Sequence, residues 1–254
     1  MAEKPPKMYE AEPAGSLDHL SEQERIERYI RSFEEPADLL LLQLDASIRR
    51  GEYPYVIGLE ASGRIPALIV GKYISELYKR GGQPPPQRLF VAPHYEATST
   101  PQLKALFDDA EKIKSEGKRV LIIDDTLFKG DSLIDATREL RKYGIPFDIG
   151  IFLAINKNPE DVEHMKGFLE ASAFYVGDFT VYTDEMDDAA VPRPIEKRKD
   201  LLGVRRFPRM VIADLDPTPS PISERDIQDA DVFRLGREHI DALVNNLVQK
   251  HTKN

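Results

Sequence analysis

The run Val120-Leu-Ile-Ile-Asp124-Asp125-Thr126-Leu127-Phe128-Lys129-Gly130-Asp131-Ser132 constrains the fold of this chain more than any other segment. Four consecutive apolar residues fit a strand buried on both faces, the habit of a parallel sheet. Asp124 and Asp125 fall where such a strand is expected to end. A short polar loop with Lys129, Gly130 and Ser132 follows, and from Leu133 the apolar residues take helical spacing. A strand, a polar loop and a helix N-terminus make a seat for a phosphate, because exposed backbone N–H groups and the positive end of the helix dipole meet there. Two carboxylates at its mouth imply a ligand with hydroxyls, a metal ion, or both.

A second strand–loop–helix unit lies upstream. Residues 55–60, Tyr-Val-Ile-Gly-Leu-Glu, read as a buried strand, Ala61-Ser62-Gly63-Arg64 as a turn, and Ile65 onward as a helix with Pro66 in its first turn. Further strands are expected near 88–92, 119–124, 147–155 and 173–177, and helices near 65–80, 101–117, 132–143 and 159–170. Alternation of this kind predicts an α/β fold, a mainly parallel sheet with helices on both faces. Ligands of such sheets bind beyond the carboxyl ends of the strands, where both loops lie. Before this core, residues 1–20 are expected to form a mobile arm. Residues 21–50 read as two helices, the first opened by a capping box at Ser21 and Glu24, with Pro36 as the break between them. The core spans 51–182. The extension 183–254 holds an acidic stretch, a basic proline-punctuated run at 193–209, a short apolar segment at Met210 and a helix over 227–250.

The first run resembles the phosphoribosyl-pyrophosphate (PRPP) signature of the type I phosphoribosyltransferases: four apolar residues, an acidic pair, three variable residues, a Thr-like position, Gly, any residue, then Thr or Ser. The apolar four, Asp124, Asp125, Gly130 and Ser132 match in order and spacing, while Lys129 replaces the commoner Thr. "GLEASGRIPA" is similar to the loop that binds pyrophosphate in that family. The resemblance covers roughly residues 36–182 and implies a type I phosphoribosyltransferase-like fold. It further implies a transferase that moves the 5-phosphoribosyl group of PRPP to a nucleobase or related nitrogen nucleophile, with magnesium as cofactor. In that reading Asp124 and Asp125 meet the ribose hydroxyls, directly or through hydrated magnesium, and are both the catalytic and the metal residues. Thr126, Leu127, Phe128, Lys129, Gly130, Asp131 and Ser132 belong to the 5-phosphate loop, with Leu127 to Ser132 wrapping the phosphate. Glu60, Ala61, Ser62, Gly63 and Arg64 would meet the pyrophosphate, Glu60 either holding magnesium or pairing with Arg64. Tyr175, Phe179 and Tyr182 fall where the family places a base-stacking aromatic, although core packing is the commoner fate of aromatics. The extension is equally suited to a base-binding hood or to oligomerisation, and the resemblance makes a homodimer an open expectation.

Several features limit the reading. The stretch Leu89-Phe-Val-Ala-Pro93-His94 offers no basic residue for the pyrophosphate side, and Phe128 stands where 6-oxopurine enzymes carry an acidic base. A non-catalytic PRPP- or nucleotide-binding regulator of the same fold is therefore the alternative. Receiver domains also carry an acidic pair after a strand, but on their first strand and with an aspartate on a later one; Ile149 to Asn156 ends without one. The absence of cysteine excludes disulfides, thiolate nucleophiles and Cys-zinc sites. A net charge of −9 argues against nonspecific duplex binding. No apolar run approaches the ~20 residues that span a bilayer, and the polar start is unlike a secretory signal, so the cytoplasm is the expected compartment.

Overall fold

The computed structural model describes residues 21–59, 63–91, 101–181 and 224–253. Two helices open the described chain, α1 (Glu22–Arg31) and α2 (Glu34–Arg49), then β1 (Tyr55–Leu59), α3 (Arg64–Arg80), β2 (Gln87–Val91), α4 (Pro101–Asp108), α5 (Ala110–Ser115) and β3 (Val120–Leu127). They are followed by α6 (Asp131–Lys142), β4 (Phe147–Ile155), α7 (Pro159–Leu169), β5 (Ala173–Thr180) and α8 (Glu224–Thr252). The strands form one five-stranded sheet in the order β2-β1-β3-β4-β5, and every pairing is parallel. The chain thus steps outward from β1 to β2, crosses back over β1 to β3, and then runs the other way. That reversal falls between β1 and β3. Register there is Tyr55 opposite Val120 and Gly58 opposite Ile123.

Strands buried on both faces need a helical layer on each side, and two apolar clusters supply it. One joins Val56, Leu121, Ile123 and Phe152 of the sheet to side chains of α1, α2, α3 and α8. The other joins Ile57, Ile122, Ile149 and Ile151 to α4, α5, α6 and α7. The N-terminal helices and α8 therefore share a single core with the sheet. α2 presses close to the edge strand at Gly177, where an added methyl group would overlap the Pro36 carbonyl oxygen and lie 2.8 Å from that of Phe152. No helix among the described residues is long and apolar enough to cross a membrane.

The α/β architecture with helices on both faces is as expected, and it fits a type I phosphoribosyltransferase-like fold. Several boundaries differ, three of them for a visible physical reason. Pro36 does not break a helix; it lies inside the first turn of α2, where its missing N–H has no helical partner to lose. The helix anticipated over 101–117 is split at Asp109, whose carboxylate accepts the Tyr55 hydroxyl at 2.6 Å and ties that corner to β1. Finally, β3 does not stop at the acidic pair but runs on to Leu127, which pairs with Ala154 of β4. The arm at 1–20, the basic run at 193–209 and the segment at Met210 lie outside the described residues.

Polar contacts fix the two ends of the assembly. At the amino ends of the strands the fully buried Asp148 accepts the Tyr53 hydroxyl at 2.7 Å and lies 3.3 Å from Arg119 Nε. Burial raises its pKa, with the Tyr53 hydrogen bond and the Arg119 charge acting against that rise. Arg119 in turn pairs with Glu52. On the outer layer, Asp38 of α2 accepts from Lys250 Nζ at 2.7 Å and lies 2.8 Å from His251 Nε2, while His251 Nδ1 is 2.8 Å from the Tyr73 hydroxyl. This clamp holds the end of α8 between α2 and α3.

Burial alone pushes the Asp38 carboxyl up, but the hydrogen bonds from Lys250 and His251, with their charges, reverse that and leave its pKa lowered. A lowered carboxyl pKa gives stability that is fully present above the unfolded value of about 3.9 and lost as pH falls through the folded value. Asp38→Asn should therefore cost about 1–3 kcal/mol at pH 7. In urea titrations the gap to wild type should close as the pH is lowered below that range; a gap unchanged in acid would contradict the assignment.

Candidate functional site

Both candidate loops leave neighbouring strands at the one place where the sheet reverses. In doubly wound sheets that reversal opens a crevice at the carboxyl ends, since the two following helices pack on opposite faces. Here they are α3 after β1 and α6 after β3. α3 belongs to the cluster of α2 and α8, and α6 to that of α5 and α7.

The two units touch through Gly63 and Asp124. A methyl group added at Gly63 would sit 2.7 Å from the Leu59 carbonyl oxygen, 2.8 Å from Asp124 Oδ1 and 3.0 Å from the Ile123 carbonyl oxygen. Only a residue without Cβ lets the start of α3 come down onto the end of β3. Asp124 Oδ1 also accepts the backbone N–H of Asp125 at 2.9 Å, which turns the carboxylate back along the strand end. Asp125 accepts the Thr126 hydroxyl at 3.3 Å. Both carboxylates are buried, at 6% and 2% exposure. Buried acids are rare unless hydrogen-bonded or held for function.

Glycine also forms both helix N-caps. Gly63 caps α3 and Gly130 caps α6, and neither helix has a side-chain cap. By contrast α1 and α7 carry complete capping boxes, Ser21 with Glu24 and Asn158 with Asp161. The first N–H groups of a helix lack partners within it, so α3 and α6 bring donors to the crevice from both sides. Gly130 has φ 88°, a left-handed conformation that glycine adopts at little cost and that turns the chain from β3 into α6. Its inner side is closed by Met165 of α7, 2.9 Å from where a methyl carbon would stand.

The remaining predicted residues distribute as follows. Thr126 and Leu127 are strand residues, and the Leu127 side chain is in the core at 1% exposure, which leaves only its backbone for the phosphate loop. Phe128 and Lys129 are exposed, and Lys129 makes no ion pair among the described residues. Asp131 and Ser132 form the first turn of α6, with Asp131 exposed and Ser132 half-buried. Arg64 opens α3, its guanidinium 4.6 Å from the centre of the Phe90 ring on β2. Tyr175 pairs with Gly150 in the middle of β5 and packs against the layer of α2. It lies two strands from β3, about 10 Å at the usual spacing, and is not brought to the acidic pair. Phe179 is nearer the carboxyl edge, opposite Ala154, packed against the other layer. Glu60, Ala61, Ser62 and Tyr182 lie outside the described residues.

Sequence reading missed Phe90 as the platform for Arg64, because an aromatic in an apolar strand reads as core. It also missed Asp178, a carboxylate near the end of β5 whose pKa is raised chiefly by burial and which accepts the Phe179 N–H at 2.8 Å. An acid inside a strand was the available signal.

Two adjacent carboxylates are too few for a protein-only metal cage, and no group of three or more metal-binding side chains occurs among the described residues. The donor set nonetheless fits magnesium, a hard cation that keeps several waters and binds through one or two carboxylates together with ligand phosphates. No protein family matches this chain by sequence, and neither does any curated protein.

Gly63→Ala should destabilise the fold by about 1–3 kcal/mol, because the added methyl meets two backbone oxygens and a buried carboxylate. Urea unfolding measures this directly. A midpoint equal to that of wild type would mean that the α3 start does not rest on Asp124.

Proposed function

We propose that this chain is a magnesium-dependent phosphoribosyltransferase, transferring the 5-phosphoribosyl group of PRPP to a nucleobase or related nitrogen nucleophile. The observation that carries the reading is the meeting of two glycine-capped helix starts, α3 and α6, on either side of a buried acidic pair at the sheet reversal. A ligand with phosphates at both ends and hydroxyls between them has the matching polarity. The α6 start, with the Ser132 hydroxyl and the exposed Lys129, would take the 5-phosphate. The exposed Asp131 opposes that charge in part. The α3 start would take the pyrophosphate, with Arg64 held over Phe90 as a planar set of donors.

In the reaction the bond from the anomeric carbon to pyrophosphate breaks and a carbon–nitrogen bond to the acceptor forms. Asp124 and Asp125 would orient the ribose hydroxyls and stabilise positive charge growing on the ring. Magnesium bound to the pyrophosphate would supply neutralisation of the departing anion. The buried position of both carboxylates keeps competing water away and strengthens their field.

A regulator that binds PRPP or a nucleotide without turnover is the second reading. It is favoured by the sequence that continues β2 into Ala92-Pro93-His94, which adds no Lys or Arg beside the pyrophosphate.

The test is pyrophosphate release from PRPP and magnesium against a panel of nucleobases. Release that depends on one base is expected, with Asp124→Asn and Asp125→Asn each lowering it roughly 100-fold or more. Tight PRPP binding with no release for any base would overturn the transferase in favour of the regulator. Failure to bind PRPP would overturn the transferase, and failure to bind either PRPP or a nucleotide would overturn both.

A further inference from the structure

We infer that Phe128 is a stacking platform for a flat aromatic ring carried by the ligand, which makes the site selective for a base-bearing ribose phosphate over the sugar phosphate alone. The inference rests on the phosphate-seat reading of the α6 start. Phe128 directly follows the last residue of β3, two positions before the left-handed Gly130 that begins α6. It therefore lies between the acidic pair and the helix N-terminus, on the rim of the crevice. Its neighbours account for the interior. Leu127 is buried in the layer of α6 and α7, and Met165 closes the inner side of Gly130.

The Phe128 ring packs with neither apolar cluster and keeps 51% of its surface exposed. Among the described residues the other large apolar side chains left exposed are elsewhere. Leu39 and Leu42 lie on α2 and Phe168 on α7, while Tyr143, at the far end of α6, stacks on Phe107 at 4.4 Å. Val181 follows β5, two strands from β3. Among the described residues Phe128 is thus the exposed aromatic next to the polar seat, flanked in the chain by Asp124, Asp125, Lys129, Asp131 and Ser132.

A phenyl ring offers a π-face and no hydrogen-bonding atom. It can hold a base by stacking but cannot read its edge or remove a proton from it. The ligand class that follows is a nucleoside 5′-monophosphate, or the aromatic acceptor that becomes its base. Discrimination among bases has to come from other residues.

The chain has no tryptophan, so Phe128→Trp places a single, selectively excitable indole at this position. Fluorescence and calorimetric titrations would use ribose 5-phosphate and a panel of nucleoside 5′-monophosphates. Both ligand types should bind wild type. In the Phe128→Trp variant a nucleotide should quench the indole fluorescence strongly, while ribose 5-phosphate leaves it nearly unchanged. Phe128→Ala should weaken nucleotide binding on the order of tenfold and leave ribose 5-phosphate affinity as it was. Equal losses for both ligands, or no loss for nucleotides, would overturn the stacking role. Nucleotide binding that depends on Phe128 without any binding of ribose 5-phosphate would keep the platform and overturn the phosphate seat. Binding of neither ligand would overturn both.

Discussion

Strand β3 lies at the centre of a parallel sheet, and the rest of the molecule is arranged around burying it. Val120 to Ile123 are fully buried, with β1 on one side and β4 on the other. A strand closed on both edges and both faces can expose polar groups only at its ends. One end is anchored near Arg119, Asp148 and Tyr53, where the buried Asp148 accepts the Tyr53 hydroxyl and faces the Arg119 charge. The other end carries Asp124 and Asp125 into the crevice made by the reversal of strand order. The buried acids are thus at the site because the strand that bears them has no other exit.

Much of this is legible in the residues. The apolar tetrad, the acidic pair and the glycine before a helical pattern identify β3, its loop and α6 almost to the residue. Glycine and proline at 63 and 66 likewise mark the start of α3. What the sequence does not carry is tertiary compensation. Nothing local says that β3 gains two more residues by pairing Thr126 and Leu127 with β4, because Asp-Asp reads as an ending. Nothing local says that Pro36 belongs inside α2. At the break, Asp109 accepts a hydroxyl from Tyr55, distant in sequence, a contact that no periodicity reveals.

The candidate site shows the same division. Spacing alone suggests that Gly63 and Asp124 belong to one site, but the contact that joins them is visible only in three dimensions. The sequence offers Arg64 to pyrophosphate or to Glu60; the fold also lays its guanidinium over the Phe90 ring. Tyr175, an aromatic at a suggestive position, is partly buried against the layer of α2, the commoner fate of such residues. Helix α8, remote in the chain, packs with α1 and α3 and is clamped by Asp38, so the described end of the extension supports the layer from which α3 reaches the crevice.

The central claim is that the reversal between β1 and β3 receives a phosphorylated ribose. Amide chemical shifts of isotopically labelled protein, recorded while PRPP and magnesium are added, test it most directly. The account predicts that the largest changes fall on Gly63 and Arg64, on Asp124 and Asp125, and on Gly130 to Leu133, all saturating together. Shifts absent from those amides, or gathered instead around Tyr53 and Asp148 at the opposite end of the strands, would contradict it.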